Sequence, residues 1–171
     1  AENLSEKGIP VLLMDIKGDV SGLAQPSVGH VKIDERHAAI GLPFEAKKFP
    51  VEILTISDQN GTRLRATVSE FGPVLLSRIL DLSDAQSGIV SIIFQYCDDH
   101  KLPLLDLKDF KKVLQYATDE GKEEIQSEYG LISTASTGAI LRKILEIDQQ
   151  GGDLFFGERS FDVQDLVRVD E

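Results

Sequence analysis

The sequence predicts an α/β protein whose N-terminal part supplies strands and whose larger second part is mainly helical. A continuous apolar run at residues 9–15 is too short for a helix and does not alternate, which is typical of a strand buried on both faces in a parallel sheet. The segment at residues 51–56 and the alternating residues 63–69 predict two further strands. From Pro73 to Gln150 the apolar residues instead recur at the spacing of amphipathic helices.

The N-terminal part opens with AENLSEKG, which resembles the end of a helix closed by Gly8. Natural domains rarely begin in this way, so we expect a piece excised from a longer protein. A short helix is predicted with Asp34 as its N-cap and Gly41 as its stop. Asn60 and Gly61 form a strong turn signal, so the strands on either side of them are expected to pair as a hairpin.

The helical part carries signals for several helices with one apolar face each. The start and stop signals are a capping box at Ser83 and Gln86, N-caps at Asp106, at Ser133 or Thr134 and at Asp162, and a stop at Gly151 and Gly152. The positions assigned to inward faces are Ile89, Ile92, Ile93, Tyr96, Cys97, Leu107, Phe110, Leu114, Ala117, Ile140, Leu141, Ile144 and Leu145.

Composition excludes several classes of function. The 171 residues suffice for one domain, or for one domain with an insertion. The formal net charge of −11 repels phosphate backbones and the basic residues do not cluster, so nucleic-acid binding by this chain alone is not expected. Cys97 is the single cysteine, which rules out an internal disulfide, fits a reducing cytoplasm and lies on an apolar stripe as a core residue. No apolar run is long enough to span a bilayer, so no membrane partner is expected.

The candidate site is the sequence Asp15-Ile16-Lys17-Gly18-Asp19, directly after the first predicted strand. Ligands bind at the carboxyl ends of strands in parallel α/β sheets, and Asp15 lies at such an end. Asp15 and Asp19 could orient water or a Mg²⁺ shell, Lys17 could face a phosphate, and Gly18 permits tight backbone geometry. The alternative is a strand that simply runs into a solvated turn.

No phosphate-binding loop accompanies this motif in the chain. The sequence G-x-x-x-x-G-K-[ST] is absent, and the single Gly-Lys pair, at Gly121, is followed by Glu123 rather than by Ser or Thr. The three histidines have no metal-ligand spacing, so no metal site is predicted. Arg142 and Arg159 are interpreted as surface arginines, with a phosphate-sensing role across a subunit boundary as the alternative. The acidic ending DLVRVDE is interpreted as a short helix, because Arg168 interrupts its apolar run.

Five segments together resemble the HerA-helicase-like (C-terminal) bacterial ATPases, relatives of the HerA/FtsK P-loop motors. They are AENLSEKGIPVLLMDIKGDVSGLAQPS, RATVSEFGPVLLSRILDLSDAQSGIVSIIF, LPLLDLKDFKKVLQYA, YGLISTASTGAILRKILEIDQQGGDLFFGE and FDVQDLVRVD. The family pattern Asp-x-(Lys or His)-Gly-(Asp or Glu) matches Asp15, Lys17, Gly18 and Asp19 position for position.

This resemblance implies that the chain is the stretch between the Walker A and Walker B motifs of a RecA-like ATPase. By it, residues 1–70 are a partial parallel-sheet core with the Asp-x-Lys-Gly-Asp strand, 71–152 a helical insertion, and 153–171 a return toward the Walker B strand. In the intact ATPase, Asp15 and Asp19 would be catalytic, Lys17 and Gly18 would contact the nucleotide, and ATP and Mg²⁺ would be the cofactors. The chain alone lacks the phosphate loop and is expected to bind neither and to be inactive.

The resemblance also implies partners for the intact protein, namely other subunits, in a hexameric ring as one form, and DNA. Two alternatives stay open at this point. The helical part could be a protein-interaction or oligomerisation module with no nucleotide role, marked by a large exposed apolar patch. Alternatively, the chain could be a small-molecule binding domain that uses the strand end at Asp15.

Overall fold

The computed structural model describes residues 1–167, except for the side chain of Val163. The chain divides into two compact units, residues 54–161 and residues 1–53 together with the described residues from 162 onward. It is mostly helical with one small parallel sheet, which is compatible with the predicted α/β class. The RecA-like sheet and the three-part division after residues 70 and 152 stay predictions about the intact ATPase.

The unit formed by residues 1–53 and 162–167 contains short helices joined by extended chain. Its helices are α1 (Glu2–Ser5) and α2 (Val31–Ile40), with 3-10 turns at Val20–Ala24 and Val163–Val167. Gly8, at φ 71°, closes the first turn as predicted, because the Ile9 N–H reaches back to the Leu4 carbonyl at 3.0 Å. None of the side chains that the structure describes in this unit is buried.

The predicted strand at residues 9–15 is absent. The apolar side chains there are exposed, Leu12 at 70 % and Met14 at 92 %, and no strand pairs with this segment within residues 1–167. A strand of a parallel sheet needs neighbours to satisfy its backbone N–H and C=O groups, and the described part of this unit offers none. The prediction that this chain buries residues 9–15 in a sheet is therefore wrong.

Two predictions about α2 have different outcomes. Gly41, at φ 66°, ends the helix as expected, with the Leu42 N–H bonded to the His37 carbonyl. The helix begins three residues before Asp34, however, and its N-cap is His30, whose Nδ1 accepts a hydrogen bond from the Lys32 N–H at 3.2 Å. The assignment of Asp34 as the cap is wrong because a histidine ring nitrogen takes that role.

The sheet of the second unit is small and parallel. Strand β1 (Leu54–Thr55) pairs with β2 (Thr62–Arg63) in the register Leu54 to Thr62. The predicted hairpin is therefore wrong. The third strand also ends early, because Thr67 and Glu70 form a capping box that begins a helix within the segment predicted to be extended.

Six helices follow and form the core of residues 54–161. They are α3 (Val68–Ile79), α4 (Asp84–Asp99), α5 (Leu107–Tyr116), α6 (Lys122–Glu128), α7 (Thr134–Gln149) and α8 (Gly152–Phe155). Helix α3 bends at Gly72 (φ 72°), directly before Pro73. Helices α3 and α4 contact each other most extensively, and α7 packs on both α4 and α5. The fully buried side chains include Leu76, Val90, Ile93, Phe110, Leu114, Ile125, Ile140 and Ile144.

The starts of α4, α5 and α7 agree with the sequence predictions. Ser83 and Gln86 form the predicted capping box, and the Asp106 carboxylate accepts from the N–H groups of Lys108 and Asp109 at 2.8 and 2.9 Å. Ser133 caps α7. These caps satisfy amide groups that the first turn of each helix leaves without a partner.

The inward faces are confirmed with three exceptions. Ile92 and Leu141 are only partly buried, and Leu145 is 53 % exposed, so the assignment of Leu145 to the interior is wrong. The apolar positions on α7 span a wider arc than the surface it packs against, and Leu145 lies at the edge of that arc, one residue beyond the buried Ile144.

Candidate functional site

The Asp-x-Lys-Gly-Asp motif forms an exposed loop in the N-terminal unit, directly before the 3-10 turn Val20–Ala24. Asp15, Lys17, Gly18 and Asp19 are adjacent in sequence and all four are exposed. The motif therefore lies on an open surface, and the described residues of its own unit contribute no enclosing walls.

Asp15 is the hydrogen-bonding centre of this loop. Its Oδ1 accepts the backbone N–H groups of Lys17 at 3.2 Å and Gly18 at 2.7 Å, and its Oδ2 accepts the Val20 N–H at 2.9 Å. The Ser21 hydroxyl adds a bond to the Gly18 carbonyl at 3.3 Å. One carboxylate thus fixes the backbone of the next five residues.

The same contacts stabilise the charged form of Asp15. The Val20 amide has the largest effect and lowers the pKa of this carboxyl below its ordinary value, with smaller contributions from Gly18 and Lys17, while partial desolvation opposes them. Asp15 is therefore ionised at neutral pH and also well below it.

Gly18 and Asp19 complete the loop in different ways. Gly18 has φ +77°, a left-handed conformation that other residues adopt at a cost, although a Cβ placed there would contact nothing within 4 Å. The glycine is thus required by backbone conformation and not by crowding. Asp19 precedes the 3-10 turn at φ −93°, and its side chain makes no capping hydrogen bond.

The loop alone does not form a metal centre or a phosphate cradle. Within residues 1–167, no group of three or more His, Cys, Asp or Glu side chains is arranged to hold a metal ion. The amide N–H groups that could face a phosphate, those of Lys17, Gly18 and Val20, are already donated to Asp15. Binding of ATP and Mg²⁺ at this loop would need groups beyond those that the structure describes.

The structure of the helical unit bears on two other sequence interpretations. Cys97 is 2 % exposed, and burial raises the pKa of its thiol to about 11, so it is a core residue as predicted and not a nucleophile. Arg159 lies 3.4 Å from the Glu70 carboxylate, as an exposed ion pair on the surface.

The acidic ending begins with a 3-10 turn at Val163–Val167, with Asp162 accepting the Gln164 N–H as predicted. Its last residues, from Arg168, lie outside the described part of the chain.

A polar cluster missed from the sequence connects α4 to α6. Glu124 accepts from the Tyr116 hydroxyl at 3.2 Å and lies 3.4 Å from His100 Nε2. His100 Nδ1 donates to the Tyr96 carbonyl at 2.9 Å, since a carbonyl can only accept. Desolvation and the bond to Tyr116 raise the pKa of Tyr96 to about 12, so this phenol stays neutral. The cluster joins helices, and no local spacing in the sequence indicates it.

A second polar group missed from the sequence lines a cavity of about 120 Å³ in the helical unit. Arg65, Asp106, Lys108, Asp148 and Asp153 surround it. Burial raises the pKa of the Asp148 carboxyl above its ordinary value, and the neighbouring Asp153 charge adds to this effect. These residues come from distant parts of the sequence, so no motif could have predicted their contact.

Comparison with known proteins now decides the family. The sequence model of the helicase HerA-like C-terminal family matches residues 1–171, the whole chain. The chain belongs to this family. The resemblance of the five sequence segments is therefore confirmed. Neither a search of curated proteins nor a search of solved structures found a significant match.

HerA-like family membership points to a HerA-type helicase or ATPase as the protein from which the chain comes. Among the residues that the structure describes, no helix is both long enough and apolar enough to cross a membrane.

Proposed function

We propose that this chain is the part of a HerA/FtsK-type P-loop ATPase that presents the Asp-x-Lys-Gly-Asp loop to the γ-phosphate of ATP. The observation that supports this most strongly is the ordered loop itself, in a chain whose family is that of HerA-like helicases. Three hydrogen bonds from backbone N–H groups to Asp15 hold the loop, and this fixes the backbone that carries Lys17 and Asp19 next to a 3-10 turn.

ATP and Mg²⁺ would be bound chiefly by a Walker A loop that is not among the 171 residues. The bound Mg²⁺ would neutralise charge on the phosphates. In this chain, Lys17 and Gly18 would face the γ-phosphate, and the Asp19 carboxylate would order the attacking water and the outer hydration shell of the metal. The Asp15 carboxylate would hold the loop that carries these residues. The chain by itself would therefore hydrolyse no ATP.

We further propose that the intact cytoplasmic ATPase self-associates, with a hexameric ring as the simplest closed form, and couples hydrolysis to movement along DNA. This step is an analogy with the family and not a reading of the site. The net charge of −11 favours DNA contacts outside this chain.

The test uses the longer protein that carries this chain together with a G-x-x-x-x-G-K-[ST] loop. Steady-state ATP hydrolysis is measured for that protein and for its Asp19→Ala variant, with Asp58→Ala as the matched control. Asp58 is exposed in the loop between β1 and β2 of the other unit. We expect the Asp19 variant to lose at least about 100-fold in kcat and the Asp58 variant to be unchanged. Hydrolysis that survives Asp19→Ala within a few-fold would contradict the assigned role of the loop.

A second candidate function is self-association through the helical unit, without any nucleotide role. It is favoured by exposed apolar side chains on α3, where Val74 is 64 %, Leu75 is 49 % and Ile79 is 43 % exposed. Sedimentation velocity of the chain decides this case. Concentration-dependent association that Leu75→Glu abolishes would support the module, and a monomer at all concentrations would remove it.

A further inference from the structure

We propose that Asp15 is a positioning residue of this ATPase site, which acts by setting the conformation of residues 15–20, whereas Asp19 supplies the motif's free carboxylate. This inference rests on the proposed function, and it divides the work between two aspartates that the sequence pattern treats as equivalent. The sequence places both carboxylates next to the same glycine, but the structure gives them different environments.

The Asp15 carboxylate has little hydrogen-bonding capacity left for a ligand. An ionised carboxylate offers about four lone-pair positions, two on each oxygen. Oδ1 already accepts two backbone N–H groups, from Lys17 and Gly18, and Oδ2 accepts one, from Val20. One position is left, so any direct role in binding water or metal would compete with the bonds that hold the loop.

The hydrogen bonds to Asp15 hold the loop in one conformation around Gly18. Gly18 is in the left-handed region at φ +77°, and because it has no side chain its backbone has more accessible conformations than that of any other residue of the motif. The bonds from Asp15 attach to Gly18 itself and to residues on both sides of it. Without these bonds the loop would sample other conformations, and the active site would have to pay the entropic cost of ordering the loop again each time it acts.

Asp19 differs from Asp15 in its hydrogen bonding. It directly precedes the 3-10 turn Val20–Ala24, so the turn fixes its backbone, yet its carboxylate makes no capping hydrogen bond to that turn. Its oxygens therefore remain available to water or to a phosphate-bound metal shell. The bond from the Val20 N–H to Asp15 also holds the backbone of the residue that follows Asp19.

A positioning role and a role of the negative charge predict different effects of the Asn and Ala substitutions at position 15. In Asp15→Asn, the amide oxygen can still accept from Lys17 and Gly18, but the NH₂ group would face the Val20 N–H, donor against donor. In Asp15→Ala all three bonds are lost. A residue that acts by position should thus be partly rescued by Asn, whereas a carboxylate that acts through its charge should not.

The first measurement tests the structural part in the 171-residue chain. Amide proton chemical shifts and exchange rates of Gly18 and Val20 are recorded for the wild type, Asp15→Asn, Asp15→Ala and the Asp58→Asn control. We expect downfield, slowly exchanging amides in the wild type, loss of both in the Ala variant, and loss at Val20 alone in the Asn variant. Wild-type amides that already match those of Asp15→Ala would overturn the inference. Neither substitution removes a core contact, because Asp15 is exposed.

The second measurement tests the catalytic part in the longer protein with its phosphate loop. We expect kcat to fall on the order of 100-fold in Asp15→Ala, because the catalytic groups are misplaced. In Asp15→Asn we expect kcat to be about tenfold higher than in Asp15→Ala. At position 19, Asn and Ala should be equally inactive. Equal loss in Asp15→Asn and Asp15→Ala would overturn the positioning role.

Failure of the proposed function gives a different result. If the wild-type longer protein hydrolyses no ATP, the ATPase proposal falls. Protected Gly18 and Val20 amides that depend on Asp15 would in that case still support its role as the organiser of the loop.

Discussion

The pair Ile93 and Leu145 gives the sharpest test of the helical core. Both lie on apolar helical stripes, and the sequence assigns both to the interior, but Ile93 is 0 % exposed and Leu145 is 53 % exposed. Ile93→Ala removes three buried carbons, worth about 0.8 kcal/mol each in transfer free energy. The cavity left behind adds to this loss, so we expect about 3 to 4 kcal/mol of destabilisation. Leu145→Ala should lower the free energy of unfolding by no more than about 1 kcal/mol.

The assay is urea unfolding of the chain followed by circular dichroism at 222 nm, with thermal unfolding as a second probe. Residues 54–161 contain the core, and for a unit of this size each kcal/mol shifts Tm by roughly 4 °C. Ile93→Ala should therefore lower Tm by about 12 to 16 °C, and Leu145→Ala by a few degrees at most. Equal losses in the two variants would show that α7 buries Leu145 in solution and would refute the packing described above.

Three further predictions concern the same unit, each measured by the same unfolding assay. Lys101 ends α4 at φ 55°, so Lys101→Gly should stabilise the unit by about 1 kcal/mol, whereas Lys101→Ala should not. Ser77 Oγ is buried without a hydrogen-bond partner among the described residues, so Ser77→Ala should raise stability by about 1 kcal/mol, and a loss would reveal a partner. Because the pKa of Asp148 is raised in the folded state, its negative charge destabilises the fold at pH values above that pKa. This destabilisation disappears below the ordinary pKa of an aspartate, where the carboxyl is protonated in both the folded and the unfolded state. Asp148→Asn should thus stabilise the unit at pH 7 and have no effect at pH 3; a gain of equal size at both values would contradict the electrostatic cause.

Helix starts could be predicted from the sequence because the responsible contacts are local. A cap at Ser83 or Asp106 bonds to amides two or three residues away, so both partners are visible in one short segment. The same kind of signal, Thr-x-x-Glu at Thr67 to Glu70, was present but was outweighed by the alternation of residues 63–69. The competing capping box ended the strand.

Sheet pairing could not be predicted to the same degree, because strand partners are distant and supply backbone groups that no residue pattern identifies. Asn60 and Gly61 are typical of a hairpin turn, yet β1 and β2 pair in parallel. In the intervening loop, the Ser57 side chain accepts the Gln59 N–H, and Ser57 donates its own N–H to Thr55 Oγ1. These bonds shape the connection into a loop and not the two-residue turn of a hairpin.

The candidate site shows the same division between local and distant information. The residue types of the Asp15 loop were sufficient to locate it, and the glycine requirement at Gly18 is confirmed by its positive φ. The direction of the Asp15 carboxylate, toward its own loop, depends on backbone torsions and not on composition. The Glu124 cluster and the Asp148 cavity were missed because each draws on several helices.

The N-terminal unit supports the proposed ATPase setting by a separate physical argument. Its apolar run is exposed, with Met14 at 92 % and Ile16 at 97 % exposure, and none of the described side chains of this unit is buried. Burial of apolar surface is worth about 25 cal/mol per Å², so a run of this kind gains free energy wherever a neighbouring sheet covers both its faces. The Asp15 loop begins where that run ends, and a strand docked between two neighbours would carry the loop to the carboxyl edge of their sheet. Partner strands that covered residues 9–15 would therefore also place the Asp15 loop at the edge of their sheet.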